Sequence, residues 1–277
     1  MGKQNGKRGR RKPFTYSALW WHFVGLLVTK PRARIREHFR LQSAIGFRTY
    51  FDFLRTADKQ VLHVTVGRFK KISVRKGTPD IEVALTSLGG EFKVVEEYLR
   101  PDFDGVIVDG GGYIGTAAIA LSAMFPAAHV ITIEPSEKNL EILRMNVRDW
   151  PMISVVEGAL VVAGRDFVGL HDRGTGEWGF TIADSSREDS RGFLQSVRGV
   201  VLESLGNSDE IGFLKLDIEG GEFELFRESS EVLRKIPSIL VELHDDIVPG
   251  CTAEFEKFSS SRQVIQTDGE KWLSVLK

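Results

Sequence analysis

Val106-Ile-Val-Asp-Gly-Gly-Gly-Tyr-Ile-Gly115 is the stretch whose reading decides how this chain folds. An apolar strand ends in a carboxylate, Asp109, and passes straight into a glycine-rich turn. The helical run Thr116-Ala-Ala-Ile-Ala-Leu-Ser-Ala-Met124 follows. Glycine has no Cβ, so the backbone can turn sharply and a ligand can come close to the main chain. Strand, glycine turn and helix start form the first crossover of a nucleotide-binding α/β fold.

Two ligands compete for such a turn. The spacing Gly110-x-Gly112-x-x-Gly115 fits the dinucleotide fingerprint, so the glycines alone leave NAD and S-adenosylmethionine both open. Asp109 separates them. A dinucleotide brings a pyrophosphate, which a carboxylate at the strand end repels, whereas S-adenosylmethionine brings a cationic ammonium and sulfonium. The turn therefore reads as a methyl-donor site, with Asp109 facing the donor's charge and Gly111, Gly112, Tyr113 and Gly115 around it.

Outward from the turn, the pattern repeats. His129–Glu134 reads as the next strand, followed by a helix from Ser136 to Asp149 with Ser136 as N-cap and Asn139 in the capping-box place. Glu134 ends its strand where this architecture meets a ribose, and a carboxylate there can accept from both ribose hydroxyls. Ile153–Glu157 is a third strand. The small pair Gly158-Ala159 after it either makes room for a flat adenine or is an ordinary turn. Ile211–Asp217 and Ile239–Leu243 are further strands, and Arg262–Thr267 with Trp272–Leu276 forms a hairpin around Asp268-Gly269. Strands alternating with helices predict a mostly parallel α/β sheet with one antiparallel edge. Before the core, Val61–Val74 alternates as a hairpin around Gly67, with a helical stretch after Asp80 and a short helix over Glu91–Leu99. The organisation expected is an extension over 1–60, a lead-in over 61–100, and a binding domain over 101–277 with a β or lid-like insert at 164–198.

Composition narrows the function. With 277 residues, 42% hydrophobic and 27% charged, one α/β domain and an extension fit a globular chain. A net charge of -1 argues against general nucleic-acid binding, and the single cysteine, Cys251, excludes an intramolecular disulfide and a thiolate metal cluster. That redox chemistry suits the cytoplasm. Six of the first twelve residues are basic, and an apolar run, Phe14–Val28, precedes a second basic patch from Lys30 to Arg40. The run is shorter than the roughly 20 residues that span a bilayer. Residues 1–40 read either as an interfacial helix on the inner face of a membrane, with Trp20 and Trp21 at headgroup level, or as a solvated tail with a helix packed on the domain.

The densest group of reactive side chains is Phe213-Leu-Lys-Leu-Asp-Ile-Glu-Gly-Gly-Glu222. Strand alternation puts Lys215, Asp217 and Glu219 on one side, and Val241-Glu-Leu-His-Asp245 puts Glu242 and His244 on one face. Charged groups on a buried strand are costly unless they serve a polar cleft at its end. Asp217, Glu219 and His244 are thus the candidates to meet near the transferred methyl, where a carboxylate or imidazole takes a proton from a substrate hydroxyl. The plainer alternative makes Lys215 and Glu222 structural ion pairs and His244 a satisfied strand-end histidine. The Asp/Glu/His set also suits a hard divalent metal, but the spacing does not demand one and none is expected.

Together these pieces resemble the FkbM family of S-adenosylmethionine-dependent methyltransferases. The resemblance runs from Ile72 to Leu243 through Val74-Arg-Lys-Gly-Thr-Pro-Asp80, the donor turn, Ile133-Glu-Pro135 with Asn139-Leu140, Glu157-Gly-Ala159, Glu177-Trp-Gly179, the Leu214–Glu222 run and Val241-Glu-Leu-His244. Lys-x-Asp-x-Glu-Gly-x-Glu after a donor turn is its specific part. It implies a class I (Rossmann-like) seven-stranded, mostly parallel methyltransferase sheet with a C-terminal antiparallel hairpin. It also implies O-methylation of a hydroxyl on a sugar, glycan or secondary metabolite. By position it places Asp109, Gly111, Gly115 and Glu134 at the cofactor, and Asp217 and Glu219 near the reacting centre. The chain departs from the family at Gly110 and at Gly112-Tyr113, where an aliphatic residue and a small-Asn pair are common. Two other functions compete. One is an NAD-dependent oxidoreductase, from the glycine spacing; the other is an inactive membrane-tethered binding protein, from Tyr113 and the basic N-terminus.

Overall fold

A computed structural model describes residues 41–277 except 175, 178, 184–191, 207 and 269. The basic segment 1–40 and Trp178 lie outside the described residues. No helix among those described is long and apolar enough to cross a membrane.

The core is a seven-stranded sheet. Its central strands are β3 (Val106–Gly110) and β10 (Ile211–Leu216), and every residue of both is buried. Such uninterrupted burial belongs to parallel strands covered on both faces. On one side of β3 lie β4 (His129–Glu134) and β5 (Ile153–Glu157); beyond β10 come β11 (Ser238–Glu242), β13 (Lys271–Val275) and β12 (Gln263–Asp268). All pairings are parallel except those of β13. The C-terminal hairpin forms the antiparallel edge of the sheet, as the sequence pattern predicts, with β12 at the rim and β13 second from it. Its side chains explain this: Leu273 and Ser274 are fully buried, while β12 carries the exposed Val264 and takes the rim.

The first crossover helix, α3 (Thr116–Met124), is buried over its first seven residues. It follows α1 (Phe47–Arg55), the hairpin β1 (Val61–Val66) and β2 (Phe69–Arg75), and α2 (Asp80–Leu88). The lead-in shares one apolar cluster with the domain: Val64, Ile72 and Val74 of the hairpin pack with Ile114, Ile119, Ile142 and Leu143. Helix α4 (Glu137–Val147) then connects β4 to β5. The insert folds as a small second sheet in the order β6 (Ala159–Leu160), β9 (Phe193–Val200), β7 (Phe167–Asp172), β8 (Phe180–Ala183). After β10 come α5 (Glu222–Glu228) and α6 (Glu231–Lys235), and α7 (Cys251–Phe258) precedes β12.

Candidate active site

A cleft of about 420 Å³ opens at the carboxyl ends of β3, β4, β10 and β11. Beside β3 the strand order reverses, which is where open α/β sheets bind ligands. One wall carries the glycine turn and Glu134, the other Asp217, Glu219 and His244, and the insert contributes Arg173, Glu177 and Phe180.

The turn is pinned from outside. The N–H groups of Gly111 and Gly112 both donate to the Ile133 carbonyl, at 3.1 and 2.8 Å. Gly111 has φ +82°, and a Cβ there would sit 1.8 Å from the Asp217 carbonyl oxygen. Glycine is required because two backbones meet. Gly115, also at φ +82°, would bring a Cβ to 3.0 Å from Val147. Tyr113 is left-handed too, at φ 48°. Its hydroxyl donates to Asp80 Oδ1 at 2.5 Å and its ring lies 5.6 Å from the Arg75 guanidinium. Asp80 is fully buried and paired with Arg75, so Tyr113 borders the cleft while anchored to a polar box beneath it. Burial and then Asp80 push its phenol well above the usual range.

Glu134 is the buried carboxylate of the donor side. Oε2 accepts from Tyr113 N at 2.8 Å; Oε1 accepts from Ser136 N at 2.9 Å and from Asn139 Nδ2 at 3.2 Å. Three of four lone-pair sites are occupied, leaving one on Oε2, so two ribose hydroxyls cannot each have a site of their own. Burial pushes the carboxyl up to about 7 against these three donors. Ser136 makes no side-chain cap; its N–H serves Glu134 instead, and Asn139 bridges Glu134 to the Glu177 carbonyl.

Asp109 does not reach the cleft, contrary to the expectation that it faces the donor. It is fully buried, with Oδ2 accepting from Thr132 Oγ1 at 2.9 Å. Oδ1 lies 3.1 Å from Lys215 Nζ but receives no aligned hydrogen bond. Lys215 lines the cleft and donates to the Gly111 carbonyl at 2.9 Å. Burial works against its charge, yet Asp109 and Asp217 outweigh it and hold the ammonium above its usual range. Asp109 thus acts on the turn through Lys215. Gly158 is not on the cleft wall either; its missing Cβ spares a 2.7 Å contact with the Arg198 carbonyl of β9, while Ala159 does line the cleft.

On the opposite wall β10 stops at Leu216, so Asp217 and Glu219 sit in a loop and not on a strand face. They still meet His244. Glu222 is the reason: fully buried, it accepts from Ile218 N at 2.7 Å and Gly220 N at 2.8 Å, and its Oε1 lies 3.2 Å from His244 Nδ1. One carboxylate ties the loop and the imidazole together. Glu219 holds φ +53°, a conformation that persists only when its surroundings impose it. His244 Nε2 then lies 3.9 Å from Asp217 Oδ1 and 4.0 Å from Glu219 Oε1. Burial opposes protonation of His244, but Glu222, Asp217 and Glu219 raise it to about 9. Burial also raises Glu219 to about 7. Arg173, from the insert, closes the wall by donating to Glu219 Oε2 at 2.9 Å and Asp246 Oδ2 at 3.2 Å. Glu242, expected beside His244, pairs with Lys271 at 3.3 Å.

Four participants were not assigned to the site from sequence: Arg173, Asn139, and the orienting roles of Glu222 and Lys215. The last two stood inside the flagged Lys-x-Asp-x-Glu-Gly-x-Glu run, where structural ion pairing was the alternative reading for both. No local pattern marks Arg173.

The profile of the FkbM methyltransferase domain matches residues 109–269, more than half of the chain. No curated protein matches the sequence. Among solved structures, the chain is similar to a methyltransferase FkbM from Methylobacillus flagellatus, at 16% identity and TM-score 0.44, covering 65% of this chain and 45% of that one. It therefore spans under half the length of that protein. It is also similar to a precorrin-6y C5,15-methyltransferase from Geobacter metallireducens, at 13% identity and TM-score 0.41, covering 78% and 94% of the two chains. A third is TYW2 from P. horikoshii in complex with MeSAdo, at 10% identity and TM-score 0.41, covering 80% of this chain and 71% of that one.

Proposed function

Because this chain belongs to the FkbM methyltransferase family, we propose that it uses S-adenosylmethionine to methylate a hydroxyl oxygen on a sugar, glycan or secondary metabolite. The residues fit that donor: Glu134 keeps one free acceptor site at Oε2, Gly111 and Gly112 line the cleft with bare backbone, and Ala159 leaves the adenine side small. The turn from Gly111 to Gly115 and Glu134 would hold the donor, with Asp109 acting through Lys215. When bound, the donor supplies a methyl on a cationic sulfur, which leaves as a neutral thioether while the acceptor oxygen forms the new C–O bond. The chain's part is to place the hydroxyl in line and to receive its proton.

Asp217 is the residue we assign to the proton. His244, at about 9, already carries one at neutral pH, and Glu219 is held by Arg173. Asp217 is the more exposed of the two carboxylates and borders the cleft. The observation that carries this reading is the Glu222-tied loop, which brings a carboxylate cluster to the wall facing the donor turn. Most of the rate would come from positioning, with proton removal adding about 10²–10⁴-fold. The test is transfer of labelled methyl from the donor to a panel of hydroxylated acceptors. Base-stable ether products, with turnover lost by about 10²–10⁴-fold in Asp217→Asn and donor-product binding retained, support it. Product methylated on nitrogen or carbon, or full turnover in Asp217→Asn, overturns it.

A further inference from the structure

We propose that Asp217, Glu219 and His244 form a site for one divalent cation of the manganese or magnesium class, facing the acceptor side of the cleft. One ligand atom from each residue falls within 4.8 Å of the other two. The 3.9 and 4.0 Å separations from His244 Nε2 exceed hydrogen-bond length, while neighbouring ligands on bonds of about 2.1 Å around an octahedral ion lie about 3 Å apart. The three groups surround a gap that closes by about 1 Å per pair onto an ion.

Three further observations point the same way. The His244 side chain is nine-tenths buried and its Nε2 makes no hydrogen bond among the described residues, while Nδ1 is held by Glu222. A histidine with one nitrogen on a carboxylate and the other aimed at paired oxygens is the arrangement of a metal ligand with its outer support, and an ion bound there takes the place of the proton that His244 otherwise holds. Second, the neighbouring cations bind the wrong oxygens to neutralise the gap. Lys215 pairs with Asp217 Oδ2 and Arg173 with Glu219 Oε2, leaving Oδ1 and Oε1 turned to His244. Third, the linked ion pairs join five carboxylates (Asp109, Asp217, Glu219, Glu222 and Asp246) to only two bases, Lys215 and Arg173, and to His244. Two carboxylates and one imidazole, without thiolate, form a hard donor set. Three protein ligands leave the remaining positions of an octahedral ion for water or an acceptor's oxygens, and Asp217, bound through Oδ1, would keep Oδ2 for the acceptor's proton. Only that last role rests on the function proposed above; the site itself does not.

The experiment is titration of metal-stripped, full-length protein with Mn²⁺, reading free Mn²⁺ by electron paramagnetic resonance. One Mn²⁺ per chain is expected at a Kd under about 1 mM, displaced by excess Mg²⁺. Glu219→Gln and His244→Ala should abolish binding in that range, and Glu222→Gln should weaken it about 10–100-fold. Circular dichroism and thermal unfolding of the same variants report that they are folded. No uptake by the wild type, or equal uptake by Glu219→Gln and His244→Ala, overturns the site. Mn²⁺ uptake without any methyl transfer would count against the proposed function and leave the site standing.

Discussion

Asp109 and Glu134 are both buried carboxylates at strand ends, yet their surroundings give them different work. Asp109 neutralises Lys215, so Asp109→Ala would leave a buried ammonium facing one partner fewer. We expect a loss of about 3–5 kcal/mol in stability, seen as a lower Tm in the absence of any ligand. An unchanged Tm with weakened donor binding would return Asp109 to direct contact with the donor. Glu134 instead keeps an open acceptor position on the cleft wall. Its three N–H donors leave Oε2 one lone pair, and a proton taken up near pH 7 occupies that same site. The sign follows: the ionised form above pH 7 accepts a ribose hydroxyl, the protonated form below does not. S-adenosylhomocysteine affinity measured by calorimetry should fall by about tenfold per unit once pH drops below about 7. A flat profile would separate Glu134 from the ribose. Glu134 was legible because strand, carboxylate and glycine turn are adjacent in the chain. The Lys215 partnership of Asp109 was not, since it comes from a strand paired across the sheet.

Among elements, the loop between β10 and α5 carries Asp217 and Glu219 on the cleft wall, and its shape depends on Glu222 and not on strand alternation. Alternation foresaw the meeting of Asp217, Glu219 and His244 for an incomplete reason: the strand ends before Asp217, and a buried carboxylate restores convergence. The other special element is the junction of β2 with α2, where Arg75 and Asp80 form the box that receives Tyr113. Tyr113→Phe removes one hydrogen bond from Asp80, which retains Arg75. The expected cost is about 1–3 kcal/mol in thermal or denaturant unfolding, with donor affinity unchanged. A large loss of donor binding at constant stability would instead show that the ring shapes the cleft. The Val74–Asp80 motif was visible in sequence, but its connection to Tyr113 joins segments far apart in the chain. Strand order at the C-terminus was half legible: the hairpin follows from Asp268-Gly269, whereas its insertion beside β11 depends on which strand has the more buriable face.

Across the whole molecule, the parallel order and the crossovers were readable because long apolar runs alternate with helical periods. The small insert sheet was harder. Its position over the cleft depends on Arg173 reaching Glu219 and Asp246, and on Asn139 holding the Glu177 carbonyl, contacts that no local pattern announces. The lead-in hairpin likewise shares its apolar cluster with the domain, so residues 61–100 are part of the folded core more than a preface to it. The central claim is that the cleft beside the β3 turn, with Glu134 on its wall, holds the methyl donor. Calorimetric titration of S-adenosylhomocysteine into wild type and Glu134→Ala tests it most directly. The account predicts one site per chain in the wild type and binding at least about tenfold weaker in the variant, the worth of a hydrogen bond to a charged acceptor. Equal affinity in the two proteins, or no binding to the wild type, would contradict it.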